Sequence, residues 1–220
     1  MTTTSVSVVR TTPRVITRTL LTAGLVAGPL YTAVWLGQAA TREGFDITRH
    51  PASLLANGGP GWIQTVNFVV AGILSIAAAV GLRRSIAGRG SRWAPRLLGA
   101  YGVGLLLAAI FPADPASGFP AGTPADYAEI SARGMGHFVA GTIGFTGLIA
   151  GCLVMAAHYR STGQAGWARY STVTGVLFFG AFAGLMAGAG KPVTITAFGV
   201  AIVLGWSWIA AICAHHRQTN

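Results

Sequence analysis

Apolar residues in this chain fall in long runs, and the segments between the runs collect most of the charge. Crossing about 30 Å of hydrocarbon takes roughly 20 residues at about 1.5 Å of helical rise each. Six runs reach or approach that length: approximately Thr19 to Ala39, Trp62 to Leu82, Arg96 to Phe111, Met135 to Ala157, Tyr170 to Gly188 and Thr194 to Cys213. The pattern predicts an all-α fold, a polytopic membrane protein built as a six-helix transmembrane bundle. The third run is the shortest, and Pro95 at its start suits a first helical turn. A single transmembrane domain over 19–213 is expected, flanked by tails over 1–18 and 214–220. Thr2 to Thr12 lacks a helical period, which predicts a disordered first tail.

Arginine placement sets the orientation. The first tail (Arg10, Arg14, Arg18), the second and fourth loops and Arg217 all fall on one side, whereas Arg42, Arg49, Arg133 and Lys191 fall on the other. Basic residues concentrate on the cytoplasmic side of membrane proteins, so both termini are expected there, in a multi-pass protein of the cell membrane. The alternative for the first run is a cleaved signal peptide after Arg14 and Arg18. Its length, against about 7–15 residues for a signal core, favours a retained span.

Composition narrows the function. The chain has 220 residues, 52% hydrophobic and 9% charged, with mean hydropathy +0.59 and net charge +10. In a soluble protein that charge would suggest nucleic acid; here it is a topology signal, so no nucleic-acid partner is expected and membrane lipids are the natural surroundings. Cys152 and Cys213 fall near the cytoplasmic ends of spans four and six, where a disulfide is disfavoured. No CxxC, HExxH, Walker or dinucleotide motif occurs. Small-residue ridges, Gly180, Gly184 and Gly188 in span five and Gly141, Gly144, Gly147 and Gly151 in span four, predict close helix crossings, either within one chain or at a homodimer seam.

The unusual chemistry lies in the two loops on the outer side. In the first, Pro51 after His50 predicts a short interfacial helix through Leu55, with Asn57 to Gly61 as the turn out of it. Phe45, Ile47 and Leu54 would anchor this loop back on the bundle, bringing Asp46, Arg49 and His50 within about 10 Å of Asp114, roughly a Debye length. Gln64 and Asn67, three apart, share a face of span two and need partners in lipid, whether a neighbouring helix or a ligand. In the other loop, prolines 112, 115, 120 and 124 stiffen the chain around Asp114. Thr123, Pro124 and Asp126 predict a helix start. A helix from there would align Asp126, Glu129, Arg133 and His137 on one face. His137 is the one histidine within the membrane boundary on this side, a functional candidate by its depth. The alternative is a structural histidine bonded only to neighbouring helices. His158, His215 and His216 lie at the opposite ends and are expected to be solvated.

Gly44-Phe-Asp-Ile-Thr-Arg-His-Pro-Ala-Ser-Leu-Leu, Gly61-Trp-Ile-Gln-x-x-Asn-Phe68, Phe111-Pro-x-Asp-Pro and Gly134-x-x-His137 together resemble the bacterial six-span family known as domain of unknown function 998, over most of the chain from Leu20 onward. The resemblance implies a protein of the bacterial inner membrane and marks Asp46, Arg49, His50, Ser53, Gln64, Asn67, Asp114 and His137 as its polar positions. It implies no reaction.

Three functions fit these residues. The first is a pocket for a lipid or small amphiphile, with Arg49, Arg133 and His50 holding an anionic headgroup, since guanidinium matches phosphate and carboxylate bidentately. The second is a metal-dependent hydrolase in which His50, His137 and Asp114, with Asp46 nearby, hold a single divalent metal. The third is a structural or accessory membrane subunit. Haem is disfavoured, because His137 and His158 on one helix stand about 30 Å apart.

Overall fold

A computed structural model describes residues 13–126, 129–188 and 190–219. It contains α1 (Pro13–Thr41), a short 3-10 helix (Ala52–Ala56), α2 (Gly61–Ser85), α3 (Trp93–Ile110), α4 (Ala132–Ser161), α5 (Ala165–Ala187) and α6 (Pro192–Thr219). All six α-helices are long and apolar enough to cross a membrane. Every expected span is present, and most run past the ends of their apolar cores. Residues 13–18, expected in the tail, belong to α1, and 214–219 complete α6; the tail over 1–12 lies outside the described residues.

Each helix packs on its neighbours in sequence, and α6 closes back on α1, so the six form a ring. Glycines permit the closest crossings. A Cβ on Gly72 would lie 2.8 Å from the Gly102 carbonyl oxygen, and one on Gly104 would lie 2.6 Å from Gly144 Cα. From Gly144 onward the span-four ridge thus packs against α3 within the chain, where Gly147 and Gly151 also face Leu97, whereas Gly141 meets only Phe145 of its own helix. The span-five ridge is not one seam: Gly188 faces Thr194 of α6, whereas nothing lies within 4 Å of a Cβ on Gly180.

The end of the ring where α1 begins and α6 ends is filled. Met155, Tyr159, Phe178, Trp208 and Ile209 are fully buried there, and the Trp208 indole N–H donates to Ser171 Oγ at 3.0 Å. Both cysteines are buried free thiols. The expectation of solvated histidines is corrected at this end. His158 and His216 are each 6% exposed, His158 Nδ1 bonds the Arg89 carbonyl at 2.7 Å, and the Tyr159 hydroxyl meets His216 Nε2 at 3.1 Å. The physical cause is helix length: α4 and α6 continue beyond their apolar cores, so their ends stack on one another and cover these rings.

Candidate functional site

At the opposite end, which we call the mouth, the two long loops are sewn to each other. Arg42 donates to the Leu55 and Asn57 carbonyls at 3.1 and 2.6 Å, and its guanidinium stands 5.2 Å from the Phe119 ring centroid. The Asn57 amide donates to the Ala113 carbonyl at 3.0 Å. The 42–57 loop folds back as its apolar residues predict, with Leu54 buried and Phe45 against Phe119, although Ile47 stays exposed.

His50 is the clasp between the loops. The Asp46 backbone N–H donates to His50 Nδ1 at 2.9 Å, so the ring proton sits on Nε2 and is donated to the Ser117 carbonyl at 3.0 Å. The ring is buried between Phe45 and Phe119, at 5.4 and 5.5 Å. Arg49 reaches the same Ser117 carbonyl only at 3.4 Å, which leaves most of its guanidinium uncommitted. The Thr48 hydroxyl and backbone N–H donate to Asp46 Oδ1 at 2.7 and 2.8 Å and hold that carboxyl below the ordinary carboxylate range.

Asp114 is also engaged. Its two oxygens accept the Ser131 backbone N–H (2.8 Å) and hydroxyl (2.6 Å), and Ser131 Oγ in turn accepts the Gly134 N–H at 3.0 Å. Ser131 is therefore the N-cap of α4. This corrects the expected helix start at Thr123: Thr123 donates its N–H to Pro120 in a turn, and the cap reinforced by Asp114 forms eight residues later. Asp126 and Glu129 consequently lie in the loop, off the His137 face.

His137 sits in the second turn of α4, and its Nδ1–H donates to the Phe111 carbonyl at 2.8 Å. It bonds a backbone carbonyl, as a structural histidine would, yet it also lines a cavity, and Nε2 has no hydrogen-bond partner among the described residues. Neither Asp114 nor His50 bonds to it.

That cavity occupies the mouth half of the ring. Its volume is about 460 Å³, within the range of ligand pockets, and all six helices contribute to its wall. The wall is apolar and aromatic, with Tyr31, Phe68, Tyr101, Phe145 and Phe198 at depth, and Arg49, His50, Ser53, Asp114, Glu129 and His137 around the rim. Arg133 stands apart in a shallow hollow beside Asp114 and Ser131. Gln64 and Asn67 are buried between α1 and α2: Gln64 Oε1 accepts from Gln38 (2.9 Å) and Asn67 (3.3 Å), and the Asn67 amide donates to the Tyr31 carbonyl at 3.2 Å. They zip two helices together and do not line the cavity. Gln38 and Arg42 were missed as partners, though an amide inside an apolar run and an arginine at its end were signals to look for them.

The metal expectation is corrected. Among the described residues no three His, Cys, Asp or Glu side chains gather as a ligand set. Both ring nitrogens of His50 and both oxygens of Asp114 are already bonded to protein, so His50, His137 and Asp114 do not offer a common centre.

Residues 25–215 match the family described as protein of unknown function (DUF998). The chain belongs to that family. No curated protein and no solved structure matches it. The DUF998 match covers every element that builds the mouth and the cavity, from α1 through most of α6.

Proposed function

We propose that this DUF998 protein resides in the bacterial inner membrane with both termini cytoplasmic, and that its cavity binds a lipid or small amphiphile from the outer leaflet. The single observation that carries this reading is the cavity itself, which is apolar at depth, rimmed by polar groups and blocked below by the packed aromatic end. A solvent-facing pocket would have no use for such walls, whereas an acyl or prenyl chain does. Access from the bilayer is supported by the wall between α4 and α5. Phe138 and Met186 line the cavity and are about half exposed on the bundle surface, and a Cβ on Gly141 would meet only Phe145 of its own helix. Arg49 supplies a cation at the rim for an anionic headgroup.

Two measurements test this. Reporter fusions at Ser91 and Ala121 should give opposite locations, cytoplasmic for the first; a shared side would refute the orientation. Gly141 lines the cavity and a Cβ there meets only Phe145 of its own helix, so leucine at this position takes up cavity space. Wild-type protein extracted from membranes of phosphatidylglycerol, phosphatidylethanolamine and cardiolipin should carry lipid in native mass spectra. Gly141→Leu should carry about tenfold less, one decade in Kd, at an unchanged melting midpoint. Equal lipid on both proteins would sink the cavity as a binding site.

A further inference from the structure

The cavity wall holds a group of hydrogen-bond donors that have no acceptor. Trp35 lines the cavity, is 4% exposed, and its indole N–H has no partner. Tyr101 also lines it, is 2% exposed, and its hydroxyl makes no hydrogen bond among the described residues. Tyr31 accepts a long bond from the Gln64 amide at 3.5 Å and keeps its own proton unused. Trp206 does not line the cavity; packed on the rings of Tyr31 and Tyr101 at 5.4 and 5.2 Å, it has a buried indole N–H that is likewise unpartnered. More than about 90% of buried polar groups in proteins are bonded, and inside a bilayer an unpaired one is especially costly. The Trp35 N–H and the Tyr31 and Tyr101 hydroxyls share one cavity wall, and that shared wall calls for a common cause.

Their arrangement supplies it. Trp35 is six residues from the mouth end of α1 and Tyr101 nine residues from that of α3, so the donors form a belt about 9–14 Å below the rim. The lining around them is Phe68, Phe145 and Phe198; His137 Nε2, on the same wall near the Phe68 ring, is an open acceptor but bonds none of these donors. Gln38 Oε1 is the one unpartnered buried side-chain acceptor nearby in sequence, but Gln38 lies in the seam between α1 and α2 and not on the cavity wall. With no protein acceptor engaged, the partner of these donors falls to whatever fills the cavity. We infer that the bound amphiphile carries a carbonyl oxygen on its apolar part and places it against Trp35 and Tyr101. The inference rests on the lipid-pocket reading and narrows it: a plain hydrocarbon chain or prenol would leave the belt unpaired. A lipid acyl ester and a prenylated quinone both bring such an oxygen, the first on a chain and the second on a ring.

The test uses matched probes that differ in that oxygen alone or nearly so. Delipidated full-length protein is titrated with 1-acyl lysophosphatidylglycerol and its 1-O-alkyl ether, and with a prenylated naphthoquinone and the corresponding prenylated naphthalene. The carbonyl member of at least one pair should bind about tenfold tighter or more, as expected when a buried donor gains its partner. The pair that shows the preference identifies the source, ester or ring ketone. Tyr101→Phe removes the hydroxyl and keeps its ring, Trp35→Phe removes the indole N–H with a smaller ring, and a double variant combines them. The double variant should lose most of that preference, and Tyr101→Phe alone should melt at the wild-type temperature, because a donor without a protein partner contributes no internal bond. Equal binding of both members of each pair, a preference that survives in the double variant, or a clear drop in the melting temperature of Tyr101→Phe each overturns the inference while leaving the pocket standing. Failure of all four probes to bind overturns the pocket reading and this inference with it.

Discussion

Valine at position 104 should collapse the bundle's stability. A Cβ there would lie 2.6 Å from Gly144 Cα and 2.8 Å from both the Gly144 nitrogen and the Ala140 carbonyl oxygen. These are backbone atoms of α4 and cannot rotate aside, so α3 and α4 must separate. Overpacking of an interior costs roughly 1–3 kcal/mol and sometimes more, and this crossing adds the loss of close contacts along the seam, which in lipid lack a hydrophobic drive to replace them. Separation would also pull Phe111 away from His137 and loosen the cavity wall at Gly104. We expect Gly104→Val to lower the melting midpoint by about 10 °C or more, scaling from about 2–4 °C per kcal/mol for a chain of this size. Gly141→Ala, one turn above Gly144 on α4, meets only Phe145 at 3.5 Å and should change little. Size-exclusion thermal melts in detergent read both. Equal midpoints for wild type and Gly104→Val would mean that α3 and α4 do not cross this closely.

Hydropathy made the six helices legible because each is dictated locally, by a run of apolar residues long enough to satisfy its own backbone in lipid. What closes the ring is not local. Nothing in the order of residues says that Tyr31, Tyr101 and Phe198, each inside a different apolar run, meet around one void, since an aromatic in a span looks the same whether it faces lipid, core or cavity. The mouth was legible in part. Its charged residues stood out, and the turn chemistry around Pro51 and Asn57 placed the short helix correctly. The start of α4 was not, because two local signals competed. Thr123-Pro124 has the better cap sequence, but Ser131 has Asp114 within reach from another loop, and tertiary contact decided between them. The same distinction explains the histidines. His50 and Asp114 read as free ligands in sequence because free valences are what a sequence displays, and folding spends them on backbone groups of a facing loop.

Releasing that Asp114 latch should open the mouth, and two different lesions should do it in the same way. The carboxylate accepts two donors from Ser131 and holds negative charge at the start of α4, where the helix dipole favours it. Alanine at 114 removes both acceptors and the charge. Alanine at 134 acts from the other side, because its methyl group would coincide with the Asp114 carboxyl oxygen Oδ2 and expel it. Loss of a helix cap costs about 0.5–2 kcal/mol, and bonds to a charged group add to that. Each single variant should therefore lower the midpoint by several degrees and speed hydrogen exchange at 112–126 and at Ser131. If both act through the one latch, the Asp114→Ala, Gly134→Ala double variant should lose no more than the worse single one, a coupling that a double-mutant cycle measures directly. Asp114→Asn should fall between wild type and alanine, since an amide keeps one acceptor oxygen but turns an NH2 toward the other donor. Strictly additive losses would show that Asp114 and Gly134 stabilise the mouth independently. In that case the contact between the carboxylate and the first turn of α4 would not be what holds the loop over the cavity.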